Sequence, residues 1–175
     1  LLAGSTAERF DLSRRVERLG VGEGLIVEPY LPEERMWSLM AACDVLVNLR
    51  SPTMGETSGS VIRALSLGKP LLVSDLGWFA ELPDDAVLKI PVDEYEVATI
   101  AAALELAADR QADLGGAARD YVAREHDLAG AADAYVAALE EAAGGEAVSD
   151  AVLLRIAEAA ADVGLDDAGA VVREA

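Results

Sequence analysis

What most constrains this chain is an alternation. Short apolar, β-branched runs recur between stretches whose apolar residues fall at helical spacing. Residues 24–30, 44–49, 70–74 and 86–92 read as strands. The helix between the first two opens on Leu31-Pro32-Glu33-Glu34, with proline in its first turn and acids at the positive end of the helix dipole. Met36, Leu39, Met40 and Cys43 line one face of it. Residues 60–67 read as a shorter helix marked by Val61, Ile62 and Leu65, with Gly68 as its stop. Residues 44–49 are almost continuously apolar, as a central parallel strand buried on both faces must be. Strands and helices in strict alternation with short connections predict a parallel sheet with right-handed crossovers and helices on both faces: an α/β, doubly wound, Rossmann-like core.

The flanks fit the same plan. Leu1-Leu2-Ala3-Gly4 reads as the end of a strand entered midway, which leads us to expect a fragment of a larger protein, truncated at its N-terminus. Phe10, Leu12, Val16 and Leu19 give residues 5–19 a helical spacing that Gly20 and Gly22 end. Residues 78–82 read as a helical turn and 97–108 as an amphipathic helix. Residues 111–143 are helical by pattern, with expected breaks near Gly115-Gly116 and near 127–130. Beyond Gly144-Gly145, the spacing of Val152, Ile156, Ala160 and Val163 predicts a helical C-terminal extension over 146–175. The expected organisation is a domain over 1–143 followed by that extension.

Charge and composition exclude several functions. With 32 acidic against 14 basic residues, the net charge of -18 offers no electrostatic footprint for nucleic acid and repels anionic membranes. No apolar run approaches the roughly 18 residues of a membrane-spanning segment. A lone cysteine, Cys43, cannot form an internal disulfide and reads as a small packing residue, in keeping with a cytoplasmic location. With one histidine, His126, the chain has no Cys/His cluster of zinc spacing and poor prospects for a hydrolytic triad, so no metal and no cofactor are expected.

The chemistry concentrates in residues 51–59, Ser-Pro-Thr-Met-Gly-Glu-Thr-Ser-Gly, which join a strand to a helix. In open parallel sheets ligands bind at the carboxyl edge, where amides of the following helix N-termini point outward. Gly55 and Gly59 permit close backbone approach, and the amides of Thr57, Ser58 and Gly59 are placed to bind phosphate oxygens. Glu56 is out of place beside a phosphate and suits a sugar hydroxyl. The plainer reading is a capped helix start with Thr57 or Ser58 as N-cap. The loop is neither Gly-x-x-x-x-Gly-Lys-Ser/Thr nor Gly-x-Gly-x-x-Gly.

Three blocks in order carry a resemblance. The run from Leu31-Pro32-Glu33-Glu34 to Cys43-Asp44-Val45-Leu46-Val47, then Gly55-Glu56-Thr57-Ser58-Gly59, then Arg63-Ala64-Leu65-Ser66-Leu67-Gly68-Lys69-Pro70, resembles the C-terminal half of retaining GT-B glycosyltransferases, above all their family four. Tyr121-Val122-Ala123-Arg124-Glu125-His126-Asp127 is similar to the family's closing helices, so the resemblance covers about residues 1–143.

The resemblance implies a nucleotide diphosphate-sugar donor, with Glu56 on the donor sugar and the amides of Thr57, Ser58 and Gly59 on its diphosphate. Arg63 stands where the family usually has a ribose-binding acid, so it reaches a phosphate or remains an exposed helix residue. Tyr30 and Leu31 would lie against the base, or simply staple the next helix. Trp78 and Phe79 would edge the cleft or belong to the core. The family holds its acceptor in a separate N-terminal domain, which this sequence lacks, so the chain alone is expected to be inactive. Two competing classes stand beside this reading: a non-catalytic binding or assembly module on the same fold, and a nucleotide-sugar epimerase, which needs more acid/base residues than one histidine supplies.

Overall fold

The strand Leu71–Ser74 is the centre of the molecule's best-packed region, with each of its four residues 1% exposed or less. The computed structural model describes residues 1–4, 10–28, 30–144 and 149–162. Their elements run β1 (Leu2–Ala3), α1 (Leu12–Leu19), β2 (Val27–Glu28), α2 (Glu33–Ala42), β3 (Leu46–Asn48), α3 (Gly59–Ser66), β4 (Leu71–Ser74), β5 (Leu88–Ile90), α4 (Glu96–Asp109), α5 (Gln111–Glu125), α6 (Leu128–Ala142) and α7 (Asp150–Asp162). Short 3-10 turns occupy Gly22–Gly24 and Gly77–Glu81. The chain divides into two compact units, Leu1–Arg124 and Glu125–Ala175.

In the first unit all strand pairs are parallel: β1 with β2, and β3–β4–β5 in that order. Side chains of β4 alternate between two cores, as period-two geometry demands. Leu71 and Val73 pack with Val61, Ala64 and Leu65 of α3 and Ala118 of α5, while Leu72 packs with Ile90 of β5 and Ala103 and Ala107 of α4. Helices therefore cover both faces, and the doubly wound α/β reading holds. The inward residues of α3 sit at i, i+3 and i+4, which is why this short segment folds as a helix against the sheet.

Three expectations need correction. The strand over 44–49 is not central: β3 lies at the edge of its sheet, and Val47 is half exposed, with β4 in the middle. The strand over 24–30 shrinks to Val27–Glu28, because Gly22–Gly24 curl into a 3-10 turn. Gly115-Gly116 do not break the helix either. α5 runs through them because Gly115 packs directly on the Gly68 backbone, where any β-carbon would collide. Close approach, rather than flexibility, uses that glycine.

Other expectations hold. Pro32 stands at the N-cap position, just before the first turn of α2, Phe79 is fully buried, and Trp78 meets Phe79 edge to face at 5.4 Å against the core. Both belong to the core and not to a cleft. In the second unit, Asp127 caps α6 by accepting from Gly130 N at 2.8 Å, which accounts for the break near 127. The helical spacing beyond residue 150 corresponds to α7, while Val163 falls outside the described residues.

Candidate functional site

Because β3 and β4 are parallel, both end on the same edge of the sheet, and the connections leaving them meet there. The β3–α3 connection is tied to β4 at its second residue: Arg50 N donates to Ser74 Oγ at 2.8 Å, and Ser74 is almost wholly buried. Beyond it the chain forms a turn built around one carboxylate. Glu56 Oε2 accepts from Thr53 Oγ1 at 2.9 Å and from Met54 N at 2.8 Å, while Oε1 takes a longer contact of 3.3 Å from Arg50 Nη1. The carboxyl of Glu56 is held below its ordinary range by its own backbone amide, then the Thr53 hydroxyl and Met54 amide, with the Arg50 charge adding to them.

Glycine completes the turn. Gly55 adopts φ 84°, the left-handed region that a side chain disfavours. Gly77, which follows β4, lies against Thr53 so closely that a β-carbon on it would sit 2.8 Å from Thr53 Cγ2. The two connections therefore pack on each other at the sheet edge.

Where α3 begins, the hydroxyl cap expected from sequence is missing. Ser58 occupies the N-cap position with extended backbone, and its carbonyl accepts from Ile62 N at 3.0 Å, but its side chain does not cap. That side chain is buried and hydrogen-bonded to Ser60 Oγ at 3.0 Å, and Ser60 Oγ accepts from Asn48 Nδ2 at 2.8 Å. The last residue of β3 thus pins the first turn of α3. First-turn amides of any helix have no intrahelical acceptor. Here the Ser58 hydroxyl does not accept from them, and Thr57 and Gly59 at this edge are exposed.

The structure gathers Glu56, Thr57, Ser58, Gly59 and Arg63 on the β3–α3 connection and the helix it enters, and places Tyr30 and Leu31 on the β2–α2 connection. Tyr30 is 81% exposed. The helices that follow these connections, α3 and α2, are linked by Arg63, whose Nη2 donates to Glu33 Oε1 at 2.9 Å and whose guanidinium carbon lies 5.8 Å from the Trp37 ring centroid. Sequence reasoning missed Arg50, Thr53, Ser74 and Gly77 in the loop's architecture, and Glu33 and Trp37 beside Arg63. Thr53 and Met54, within three residues of Glu56, carry a local signal, because a carboxylate so placed can fold its own turn.

A hollow of about 380 Å³ lies elsewhere, between α1 and β2, lined by Leu12, Val16, Leu25 and Val27 with Ser13 and Glu17 as its polar groups. It gathers no convergent chemistry. Among the described residues no cluster of three or more His, Cys, Asp or Glu is placed to hold a metal ion, and no helix is long and apolar enough to cross a membrane.

In an open parallel α/β sheet the crevice at the carboxyl edge is where ligands bind, and the β3–α3 connection lies at that edge. The particular family is shown by comparison: the model for glycosyl transferases group 1 matches residues 1–121, and the chain belongs to that family. Among solved structures, it is similar to sucrose-phosphate synthase from Thermosynechococcus elongatus, at 20% identity and a TM-score of 0.54 over 69% of this chain. The chain spans 32% of that structure's length, and the likeness is one of fold, the GT-B type. No curated protein sequence matches it.

Proposed function

We propose that this chain is the donor-binding half of a retaining glycosyltransferase, which moves a sugar from a nucleotide diphosphate-sugar to an acceptor held by another domain. The observation that carries the reading is the uncapped start of α3. Its first-turn amides have no side-chain cap and lie at the sheet edge next to the Glu56 turn, in a chain of the group 1 glycosyl transferase family. Amide dipoles at that place suit a diphosphate, the more so as it gains charge on leaving the sugar. Thr57, Ser58 and Gly59 bind the diphosphate, and Tyr30 and Leu31 on the neighbouring connection flank the base. Glu56 turns Oε1, its less engaged oxygen, to a hydroxyl of the donor sugar, while Oε2 keeps the turn folded.

The test is transfer by the full-length protein. Titration with UDP, GDP and ADP should shift the amide resonances of Thr57, Ser58 and Gly59 for at least one of them. Glu56→Ala should reduce kcat/KM for donor by 100-fold or more, as expected for losing a polar group that meets the reacting sugar. Transfer at the wild-type rate by that variant would remove Glu56 from the site.

A further inference from the structure

Arg63 is the one cation that α3 carries, and three contacts fix where its charge sits. Long side chains on a helix lean towards its N-terminus, so a residue at position 63 reaches back over position 59. The structure shows this reach: a β-carbon built on Gly59 would lie 3.4 Å from Arg63 Nη1, the first residue of α3 meeting the guanidinium. From α2, Glu33 accepts Nη2 at 2.9 Å, and Trp37 lies beneath the guanidinium at 5.8 Å from ring centroid to Cζ. The acid comes from the first turn of α2 and the indole from one turn further on.

An exposed ion pair of this kind, with Glu33 65% and Arg63 36% exposed at the side chain, adds little to folding stability. What it does is remove rotamer freedom. One nitrogen of the fork is held by Glu33 and the guanidinium lies over Trp37, which leaves Nη1 beside Gly59, the first residue of α3. An arginine so placed meets an anion without first having to be ordered, and its planar fork matches two phosphate oxygens at once.

We propose that Arg63 contacts the phosphates of a nucleoside diphosphate at the start of α3, and that Glu33 and Trp37 are positioning residues that hold its guanidinium there. The proposal rests on the donor-site reading above and adds to it a cation and the two side chains that aim it. Lysine at 63 would keep the charge but lose both the fork and the stacking on Trp37.

Calorimetric titration of the full-length protein with UDP, GDP and ADP tests it, with thermal unfolding as the check on folding. Arg63→Ala should weaken the diphosphate that binds wild type by 10-fold or more, and Glu33→Gln by about 3-fold, with Tm nearly unchanged for both. The deciding variant exchanges the charges, Glu33→Arg with Arg63→Glu. It rebuilds the ion pair but moves the cation away from α3, so Tm should stay at the wild-type value while diphosphate affinity remains at least 10-fold reduced. Recovery of wild-type affinity in the exchanged variant would show a merely structural pair and overturn the proposal. Undiminished affinity in Arg63→Ala would overturn it too, leaving the donor-site reading intact. Failure of the wild type to bind any of the three would overturn both.

Discussion

The two sides of the candidate site are held in place by different physics. On one side, residues 53–56 form an exposed turn whose order comes from a single carboxylate and the donors around it. On the other, the first turn of α3 is anchored by the buried Asn48–Ser60–Ser58 hydrogen bonds and by Val61, Ala64 and Leu65 against β4. The first side draws on interactions that water and salt weaken, the second on burial. The amides proposed to bind a diphosphate therefore stand on the side anchored by burial, and the proposed sugar-facing group on the exposed one.

The largest effect belongs to the buried side. Leu65→Ala removes a side chain with no exposure at the centre of the α3–β4 contact, and should cost about 2–5 kcal/mol in urea unfolding through lost burial and the cavity left behind. A loss below about 1 kcal/mol would show that α3 is not anchored by its core and would collapse the contrast. Next comes Ser74→Ala, at the point where the two sides join. It leaves Arg50 N without the acceptor it has at 2.8 Å and should cost about 1–3 kcal/mol, read in the same experiment.

Much of this arrangement is legible in the sequence, and the exceptions share a cause. Pro32 before two acids, the spacing of Val61 and Leu65, and the run Leu71-Leu72-Val73 are local signals, and each element forms as they indicate, although Ala64 rather than Ile62 completes the buried face of α3. Which strand is central is not local. Val45-Leu46-Val47 is as apolar as Leu71-Leu72-Val73, yet pairing order puts the first at an edge and the second in the middle. Gly115 reads as a breaker until its close approach to Gly68 is known. At the site, the position of the loop follows from the strand–loop–helix order. The partners of Arg63 do not, since Glu33 lies 30 residues away and only the fold brings it near. Ser58 looks like a cap and is instead drawn inward by Ser60, a contact between serines that no capping rule distinguishes.

The smallest expected effect concerns the exposed turn itself and separates it most cleanly from the anchored helix. Glu56 accepts its hydrogen bonds as a carboxylate, and those donors favour the ionised form, so its pKa in the folded turn lies below the 4.5 of an unperturbed glutamate. A lowered folded pKa means that the turn's contribution is complete above 4.5 and disappears as pH falls through the folded value. The protonated acid still accepts weakly, but it loses the attraction to Arg50 and the charge-assisted bonds from Thr53 and Met54. Amide resonances of Met54 and Glu56 should therefore titrate with a midpoint below 4.5, while those of Leu72 and Val73 in β4 stay still over the same range. In Glu56→Gln the titration at Met54 should vanish, with unfolding free energy nearly unchanged from wild type, as for surface substitutions generally. A midpoint at or above 4.5 would mean that the donors do not hold the charge. Movement of the β4 amides in step would mean that turn and core are one cooperative unit rather than two.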